Sequence, residues 1–376
     1  MQIEILHSIF ELEKTDRDQF TCSDNPFTRV SFLESLEQTK CCSINTGWKP
    51  FHILFKDDHQ QAIGLMPCYI KQHSWGEFVF DWAWAQAYKE HGLDYYPKLL
   101  TAIPFTPVPG PRIITRPGYD SEAMLSFWLS QLPTYADRFN FSSWHLLFPE
   151  NQLKITSSDL LARIDCQYHW FNHDYQSFDD ILSHFASRKR KNIKKERASL
   201  IHKNIRVIRH TASQITPPML EAFFRFYCNT YLIRGHQPHL NLAFFKSILC
   251  SMPDNIMLAL AYQDEEIIAG SWFFFDTQTL YGRYWGCEQD VPGLHFECCY
   301  YQGMEFCVEK NLKIFNPGTQ GEHKISRGFE PVSTQSFHWI KHQGFKQAIA
   351  NYLNHERPEI QHYMTQVTSK LPFKKD

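Results

Sequence analysis

A succession of a strand, a polar turn and a second strand occurs twice in this chain of 376 residues. The period-2 and apolar patterns that predict these strands lie at Phe51–Phe55 and Ile63–Ile70 in the first copy, and at Ile256–Tyr262 and Ile267–Phe275 in the second. The copies are about 200 residues apart, far too distant for a solenoid repeat. Two generic meanders could coincide in this way, but an internal duplication explains more of the pattern.

The spacing of glycine and tyrosine supports the duplication. Gly64 precedes a Tyr-Tyr pair at 95–96 by 31 and 32 residues, and Gly270 precedes a Tyr-Tyr pair at 300–301 by 30 and 31. In each copy we expect a third strand, at Trp75–Phe80 in the first, and then a helix opened by the tyrosine pair. The sequence therefore predicts two α/β domains of one topology, each with a mixed sheet.

The boundary is expected near the middle of the chain, with an N-terminal domain at 1–165 and a C-terminal domain at 166–376 that carries the probable site. Each copy closes on a proline–glycine segment, at Pro109-Gly110 and Pro317-Gly318. Length alone suggests two or more domains, and 43% hydrophobic residues suffice for large cores.

Composition excludes several classes of protein. A formal net charge of −2 does not suit a generally basic nucleic-acid coat. Eleven cysteines without a C-x-x-C pair are typical of reduced thiols. The first twenty residues resemble no secretory signal, and no apolar run has the length of a membrane span. We expect a cytoplasmic protein without a transmembrane segment.

The stretch from Leu280 to Pro331 is the candidate site because polar groups there alternate with structural elements. Candidate catalytic residues are Glu297, His323 and Tyr284. Candidate substrate-binding residues are Arg283, Trp285, His295, Gln320, Glu322, Lys324 and Arg327, with Asp81, Trp82 and Trp84 in the first copy. Lys324 and Arg327 could converge on an anion, or instead pair with neighbouring glutamates. The aromatic residues could equally belong to the core.

Metal binding is not predicted. His295, Glu297, Glu322 and His323 could ligate zinc or iron, but they lack H-E-x-x-H spacing. The H-F-E at 295–297 is followed by no P-C-x-x-C, so the deaminase pattern is incomplete. No Walker loop, G-x-S-x-G or G-x-G-x-x-G occurs.

A basic run separates the two copies. Arg188–Lys203 holds eight Lys or Arg residues and a single acid, Glu196, with an apolar stripe that predicts a helix. The basic side of such a helix is either simply exposed to solvent or a binding surface for the phosphates of RNA. The nucleic-acid candidates are Arg188, Lys189, Arg190 and Lys191.

Several short sequence segments together resemble a bacterial family described as "peptidoglycan biosynthesis/recognition". This family is placed in the GNAT acyltransferase superfamily, near the Fem-type aminoacyltransferases. The segments are FDWAW at 80–84, YYPKLL at 95–100, PFTPVPGPR at 104–112, YGRYWGC at 281–287, HFECCYY at 295–301 and GTQGEHKISRGF at 318–329. The resemblance covers almost the whole chain. It implies two tandem GNAT-like domains, and transfer of an amino acid from aminoacyl-tRNA to an amine of a cell-wall precursor.

The resemblance also extends to function-bearing segments. The basic run at Arg188–Arg197 is similar to the one that begins the second Fem-type domain, and Lys324–Phe329 is similar to a Lys…Gly-Phe segment of the last strands. Departures are the missing [RQ]-x-x-G-x-[GA] loop, which cradles coenzyme A in ordinary GNAT enzymes, and the missing helical-hairpin arm. These departures select neither donor, so acyl-CoA and aminoacyl-tRNA both stay as candidate donor substrates, and no bound cofactor is predicted.

Two functions remain as hypotheses. The first is an N-acyltransferase that moves an acyl or aminoacyl group to an amine of a small molecule or a cell-wall precursor. In it Glu297 or His323 is the base, Tyr284 a hydrogen-bond donor or leaving-group acid, and Lys324 with Arg327 the anion clamp. The second is a non-catalytic module that recognises a cell-wall or RNA ligand with the same cleft.

Overall fold

The structure, a computed structural model, describes residues 1–20, 24–150, 157–319 and 321–374. Its strands are β1 (Gln2–Leu6), β2 (Trp48–Pro50), β3 (His52–Lys56), β4 (Ala62–Met66), β5 (Cys68–Lys71), β6 (Lys98–Thr101), β7 (Ile114–Thr115), β8 (Ser143–Leu147), β9 (Leu161–Phe171), β10 (Ile205–Thr211), β11 (Ile256–Gln263), β12 (Glu266–Phe275), β13 (Thr279–Cys287), β14 (Ile314–Asn316) and β15 (Glu330–Ile340).

The α-helices are α1 (Lys14–Arg17), α2 (Val30–Gln38), α3 (Trp82–Glu90), α4 (Ser121–Phe139), α5 (Phe178–Ser183), α6 (Ser187–Ile201), α7 (Pro217–Leu232), α8 (Leu242–Ser251), α9 (Leu294–Phe296), α10 (Gln302–Lys310) and α11 (Gln343–Thr368). A π-helical turn at Glu297–Tyr301 joins α9 to α10. A 3-10 helix spans Glu322–Arg327. Shorter 3-10 turns lie at Ile9–Glu11, Pro26–Thr28, Ile44–Thr46, Ala212–Gln214 and Pro253–Asn255.

The chain divides into two compact units. Unit 1 comprises Met1–Asp165 and Ser333–His362, and unit 2 comprises Cys166–Val332 and Tyr363–Asp376. The sequence placed one boundary between 165 and 166 and expected two contiguous domains. The structure adds that Ser333–His362 joins unit 1, because the end of β15 pairs with β8.

Unit 1 contains two sheets. β1, β3, β4 and β7 form an antiparallel sheet, and β2, β5, β6, β8 and β15 belong to a mixed one, where β6 and β8 are parallel. Helix α4 buries one side, Met124, Leu125, Trp128, Leu132 and Ala136, against the strands. This apolar stripe at helical spacing supplies much of the core of unit 1.

Unit 2 has strand order β10-β11-β12-β13-β14-β9. β10 to β13 form an antiparallel meander, β14 is parallel to β13, and β9 is antiparallel to β14. β11 is buried along almost its whole length, which is why the segment reads as a nearly continuous apolar run. The predicted α/β class with mixed sheets is confirmed.

The duplication is visible in the meanders. Gly64 lies in β4, the third strand of β1-β3-β4, and Gly270 lies in β12, the third strand of β10-β11-β12. The tyrosine pairs are not equivalent, however. The pair at 95–96 precedes strand β6, whereas the pair at 300–301 lies in the π-helical turn. The predicted equivalence of the tyrosine pairs was therefore wrong.

Two predicted elements of the first copy were also wrong. Trp75–Phe80 is a loop rather than a strand, and Gly76 and Phe78 have positive φ values of 81° and 61°, which extended strands do not accommodate. The tyrosine-rich segment predicted as a helix contains β6 instead. Because β6 is buried throughout, its apolar run lacks the period-2 alternation of a half-exposed strand.

Candidate functional site

The two parallel strands of unit 2 separate at their carboxyl ends. β13 and β14 pair only between Thr279–Tyr281 and Ile314–Asn316. β13 then continues to Cys287, while the chain after β14 turns away at Gly318, with a φ of +87°, towards the 3-10 helix. A crevice beyond the carboxyl ends of parallel strands is a common ligand position in α/β folds.

A close approach of helix and strand fixes one side of this crevice. A Cβ atom on Gly286 would overlap the carbonyl oxygen of Phe226 on α7, so only glycine fits there. The hydroxyl of Thr230 on the same helix donates to the carbonyl of Trp285 at 2.9 Å. The half-buried Trp285 ring packs edge-on to His295, with 5.3 Å between centroids.

The π-helical turn supplies two tyrosines to the site. Tyr300 and His323 share a hydrogen bond of 2.8 Å between the phenol oxygen and Nε2. The Tyr301 hydroxyl donates to Glu196 at 2.6 Å and accepts from Arg327 Nε at 3.0 Å. Single π turns inside α-helices are frequent at functional sites.

The pKa values of the two histidines of the site are both lowered, which favours the neutral imidazole. Burial, followed by the charges of His323, Lys324, Arg327 and Arg234, lowers the pKa of His295 to about 4. Desolvation, followed by Lys324 and Arg327, also lowers the pKa of His323. His323 is exposed, so its neutral imidazole can meet a substrate.

Glu297 occupies a closed ion pair. Arg197 Nε and Nη2 donate to its two carboxylate oxygens at 2.9 and 2.8 Å, and Gln302 donates to it at 2.7 Å. Arg197 also contacts Glu305 at 2.6 Å. With Glu297 only 5% exposed and its oxygens so engaged, the carboxylate is poorly placed to take a proton from a substrate.

The expected anion clamp is not assembled. The buried Lys324 amine donates to the carbonyls of Gly318 at 2.7 Å and Thr319 at 3.1 Å. Arg327 donates instead to Glu196 at 3.0 and 3.1 Å, and its guanidinium lies 3.3 Å from the ring centroid of Phe296. Both cations therefore turn into the protein, by contacts that sequence spacing alone does not reveal.

Burial has a strong effect on Lys324. Desolvation lowers its pKa to about 7, against a smaller opposite effect of Cys299, and the charge of Arg283 also acts to lower it. Arg283 lies at the point where the pairing of β12 and β13 shifts register. Desolvation lowers the pKa of Arg283 as well.

Tyr284 belongs to an aromatic cluster. Its ring is edge-on to Tyr227 and Phe245, with centroids 5.3 and 5.7 Å away, and the residue is 7% exposed. A role as proton donor to substrate is therefore not favoured. Glu322 is exposed and accepts a hydrogen bond from Tyr363 at 2.8 Å. Gln320 lies outside the described residues.

The candidates of the first copy lie in unit 1. Asp81 accepts hydrogen bonds from Lys98 and, at 2.6 Å, from Tyr95. Trp84 is buried, and its ring meets His338 edge-on, at 4.9 Å between centroids. The side chain of Trp82 is exposed.

The basic run forms α6. Arg188 and Lys191 are exposed, whereas Lys189 and Arg190 are half-buried. Within the described ranges none of these four forms a salt bridge, and the neighbouring Lys194 pairs with Asp179 at 2.8 Å. Glu196 and Arg197, further along the helix, contribute to the site instead.

Sequence reasoning did not assign four of these residues to the site: Glu196, Arg197, Tyr300 and Tyr301. One signal was available, because Glu196 is the single acid in a basic run, which indicates a specific partner for it. The tyrosine pair was noticed only as a helix face.

The described part of the chain contains neither a metal-ligand cluster nor a membrane-spanning helix. No cluster of three or more His, Cys, Asp or Glu side chains there could hold a metal ion. No helix within the same ranges is long and apolar enough to cross a membrane.

Comparison with known proteins supports one family and one fold. A family model for FemAB-like proteins, described as peptidoglycan biosynthesis/recognition, matches residues 8–375. No curated protein sequence matches the chain. A conserved protein of unknown function from Bacteroides thetaiotaomicron VPI-5482 superposes with a TM-score of 0.54 at 12% identity, covering 90% of this chain and 100% of that one.

Two other solved structures are similar over most of the chain. FemX has a TM-score of 0.51 at 12% identity, covering 92% of this chain and 100% of that one. The C-terminal domain of a putative lysylphosphatidylglycerol synthetase from Agrobacterium fabrum has a TM-score of 0.53 at 9% identity, covering 90% and 94%. At such identities the likeness concerns the fold alone, which is the expected α/β fold with mixed sheets.

Proposed function

The chain belongs to the FemAB-like family of peptidoglycan biosynthesis/recognition proteins, and from this premise we propose that it transfers an acyl or aminoacyl group to an amine. The acceptor in this proposal is a cell-wall precursor. The reaction takes place in the crevice of unit 2 between β13 and the 3-10 helix.

One observation carries the proposal, namely the pairing of an exposed, neutral histidine with a tyrosine at this crevice. His323 lies on the 3-10 helix that leaves β14, and Tyr300 lies in the π-helical turn that follows β13. Tyr300 is only 4% exposed, so it orients the exposed imidazole through their shared hydrogen bond, and His323 is the group that can transfer a proton. Amine attack on an ester or thioester needs such a group beside the reacting carbonyl.

His323 is the general base of the proposal. The acceptor nitrogen attacks the carbonyl carbon of the donor, and the proton lost from nitrogen moves to His323. The carbon–oxygen bond of an ester, or the carbon–sulfur bond of a thioester, then breaks. The leaving oxygen or sulfur takes the proton back from the imidazolium, so that the histidine returns to its neutral form. Positioning of the two reactants contributes as well.

The remaining charged groups hold this pair in place. Arg327 donates to the carbonyl of His323 at 3.0 Å and is itself fixed by Glu196. Lys324, the residue after His323, donates to the carbonyls of Gly318 and Thr319 and so fixes the 3-10 helix to the segment after β14. We therefore assign Lys324, Arg327 and Glu297 as positioning residues, in place of the clamp and base expected from the sequence.

Aminoacyl-tRNA is the donor we favour over acyl-CoA. The segment between β13 and α9, where ordinary GNAT enzymes carry the pyrophosphate loop, contains the exposed acids Glu288 and Asp290. Carboxylates in front of a helix start repel a diphosphate. The cations of α6 at 188–191 suit the phosphates of a tRNA.

The experiment measures transfer of a labelled amino acid from charged total tRNA to a nucleotide-linked muropeptide. His323→Ala should lower kcat by about 100-fold, within the usual contribution of general base catalysis. Tyr300→Phe should lower it less, because this change removes only the hydrogen bond that orients the imidazole. His355→Ala, an exposed histidine on α11, is the matched control and should keep full activity.

The pH dependence provides a second readout. Because the pKa of His323 lies below its ordinary value, the base stays available in mildly acidic solution. The rate should show a fall as the pH drops through that lowered pKa, and His323→Ala should remove this step from the profile. A native rate with His323→Ala would exclude the base assignment.

The second function, a recognition module without catalysis, remains as an alternative. The ion pairs of Glu297 and Arg327 favour it because they make the crevice rigid rather than reactive. In that case the native protein would bind the muropeptide with no transfer from either donor, and His323→Ala would change the affinity alone.

A further inference from the structure

Unit 1 exposes three large aromatic side chains on one short loop. Trp75 is 48%, Phe80 51% and Trp82 40% exposed. The two indole rings lie 5.0 Å apart between centroids, at an interplanar angle of 59°. A cluster of exposed aromatic rings marks a binding surface more often than an inert one. The loop belongs to unit 1, and the inference drawn from it does not rest on the proposed transfer reaction.

The backbone that carries the two indoles is held in place from inside unit 1. The carbonyl of Trp75 accepts hydrogen bonds from Trp48 Nε1 at 3.2 Å and from Lys71 Nζ at 3.3 Å. Trp82 is the first residue of α3, and the carbonyl of Asp81 accepts the first hydrogen bonds of that helix. The rings are therefore presented by a preorganised backbone, which lowers the entropic cost of binding.

Four buried charges lie on and under the same loop. Lys98 donates to Asp81 and, at 2.7 Å, to Glu77, while Lys71 lies 3.9 Å from the other oxygen of Glu77. All four are at most 4% exposed. Two cations and two carboxylates make the cluster neutral overall, so that it selects neither an anion nor a cation.

Two carboxylate oxygens of this cluster lack a hydrogen bond. Among the described residues, neither Glu77 Oε1 nor Asp81 Oδ1 has a hydrogen-bond partner, although both side chains are buried. A buried acceptor without a donor destabilises a protein by about 1–3 kcal/mol or more. Such a group in a folded protein calls for an explanation, and a donor supplied by a bound ligand is one.

We propose that the loop Ser74–Trp82 is a saccharide-binding site, in which Trp75 and Trp82 stack on a sugar ring and Glu77 accepts a hydrogen bond from a hydroxyl group. A sugar ring combines an apolar C–H face, which packs on indole, with hydroxyl groups that both donate and accept. The loop offers the same combination, since it joins two exposed rings to a neutral cluster of fixed donors and acceptors.

A membrane surface is the competing partner for exposed tryptophans. Attachment to anionic lipid would call for exposed lysines or arginines around the rings. The cations found in contact with this loop are engaged within the protein. Lys71 and Lys98 are buried, and Arg163, which donates to the Phe80 carbonyl at 2.7 Å, is paired with Glu356 at 2.6 Å. The sugar is therefore the better match.

The test is calorimetric titration of the full chain with chitotetraose, and in a second arm with cellotetraose, which lacks the acetamido groups. Trp75→Ala and Trp82→Ala should each weaken binding by about tenfold or more, as truncation of a central aromatic contact does. Tyr119→Ala removes an aromatic residue of similar exposure in unit 1 and should leave the affinity within about twofold. Exposed side chains are replaced in all three, so unchanged thermal unfolding is expected.

Three results would overturn the proposal: no heat with either sugar at millimolar concentration, equal affinity in the tryptophan variants and the native chain, or tryptophan-dependent binding to phosphatidylcholine vesicles instead. Loss of transfer activity in His323→Ala with sugar binding intact would support the independence of the two sites. Binding of both sugars would show that the site recognises the sugar ring. Binding of chitotetraose alone would show that it recognises the acetamido groups.

Discussion

Lys324 has an unusual environment for a single lysine. Its amine is buried, and the hydrogen bonds found for it in the described ranges go to two backbone carbonyls. The native pKa of about 7 lies well below the ordinary value of 10.5. Between these two pH values the unfolded chain binds a proton that the native protein does not.

This difference predicts a pH-dependent stability. The free energy of unfolding of the native protein minus that of Lys324→Met should rise as the pH increases from 7 towards 10, by at most about 1.4 kcal/mol per unit. Below pH 7 the difference should be constant. Urea unfolding at several pH values measures it, and Lys310→Met, an exposed lysine on α10, is the control. A flat difference would mean that Lys324 keeps its proton when folded.

At the scale of elements, the ion pair between Arg197 on α6 and Glu297 on the π-helical turn connects the basic helix to the site. Arg197 is 27% exposed and keeps its contact with Glu305, so Glu297→Gln should destabilise unit 2 by about 1.5–3 kcal/mol, the usual cost of losing hydrogen bonds to a charged group. The double variant with Arg197→Gln should lose less than the sum of the single ones, as a double-mutant cycle of urea unfolding would show. A Glu297→Gln protein with native stability and no transfer activity would instead support Glu297 as the base.

The salt dependence of tRNA binding by helix α6 would distinguish aminoacyl-tRNA from acyl-CoA as the donor. If Arg188, Lys189, Arg190 and Lys191 contact four phosphates of a tRNA, log affinity should fall with log salt at a slope of about −3 to −4. Replacing all four by Gln should flatten this slope. Replacing four exposed lysines of unit 1, Lys14, Lys40, Lys49 and Lys89, changes the net charge equally and should not. Equal slopes in the native and α6 variants would exclude phosphate contact by this helix.

At the scale of the whole molecule, the sequence predicted what local patterns encode. The meander of unit 2 was found because β11 and β12 are apolar runs separated by a polar turn. The orientation of the charged side chains was not predictable. Glu297 meets an arginine 100 residues away, and Arg327 meets a glutamate 131 residues away. The three-residue spacing of Lys324 and Arg327 suggested an anion clamp because a local pattern does not show the distant residues with which these side chains pair.

Errors in unit 1 have the same origin. The loop of Trp75 and the strand β6 are defined by long-range contacts, such as the bonds of Lys98 to Glu77 and Asp81. A segment that is apolar and buried on both faces has no periodicity by which to distinguish strand from helix.

The return of Ser333–His362 to unit 1 has a consequence for synthesis of the protein on the ribosome. β8 ends at Leu147, but its neighbour β15 pairs with it through Ser336–Ile340, almost 190 residues later. At about 5–20 residues per second, a nascent chain keeps one side of β8 uncovered for roughly 10–40 seconds while unit 2 is made. The N-terminal half cannot complete its fold first, and emerging chains with an open strand edge are natural clients for chaperones.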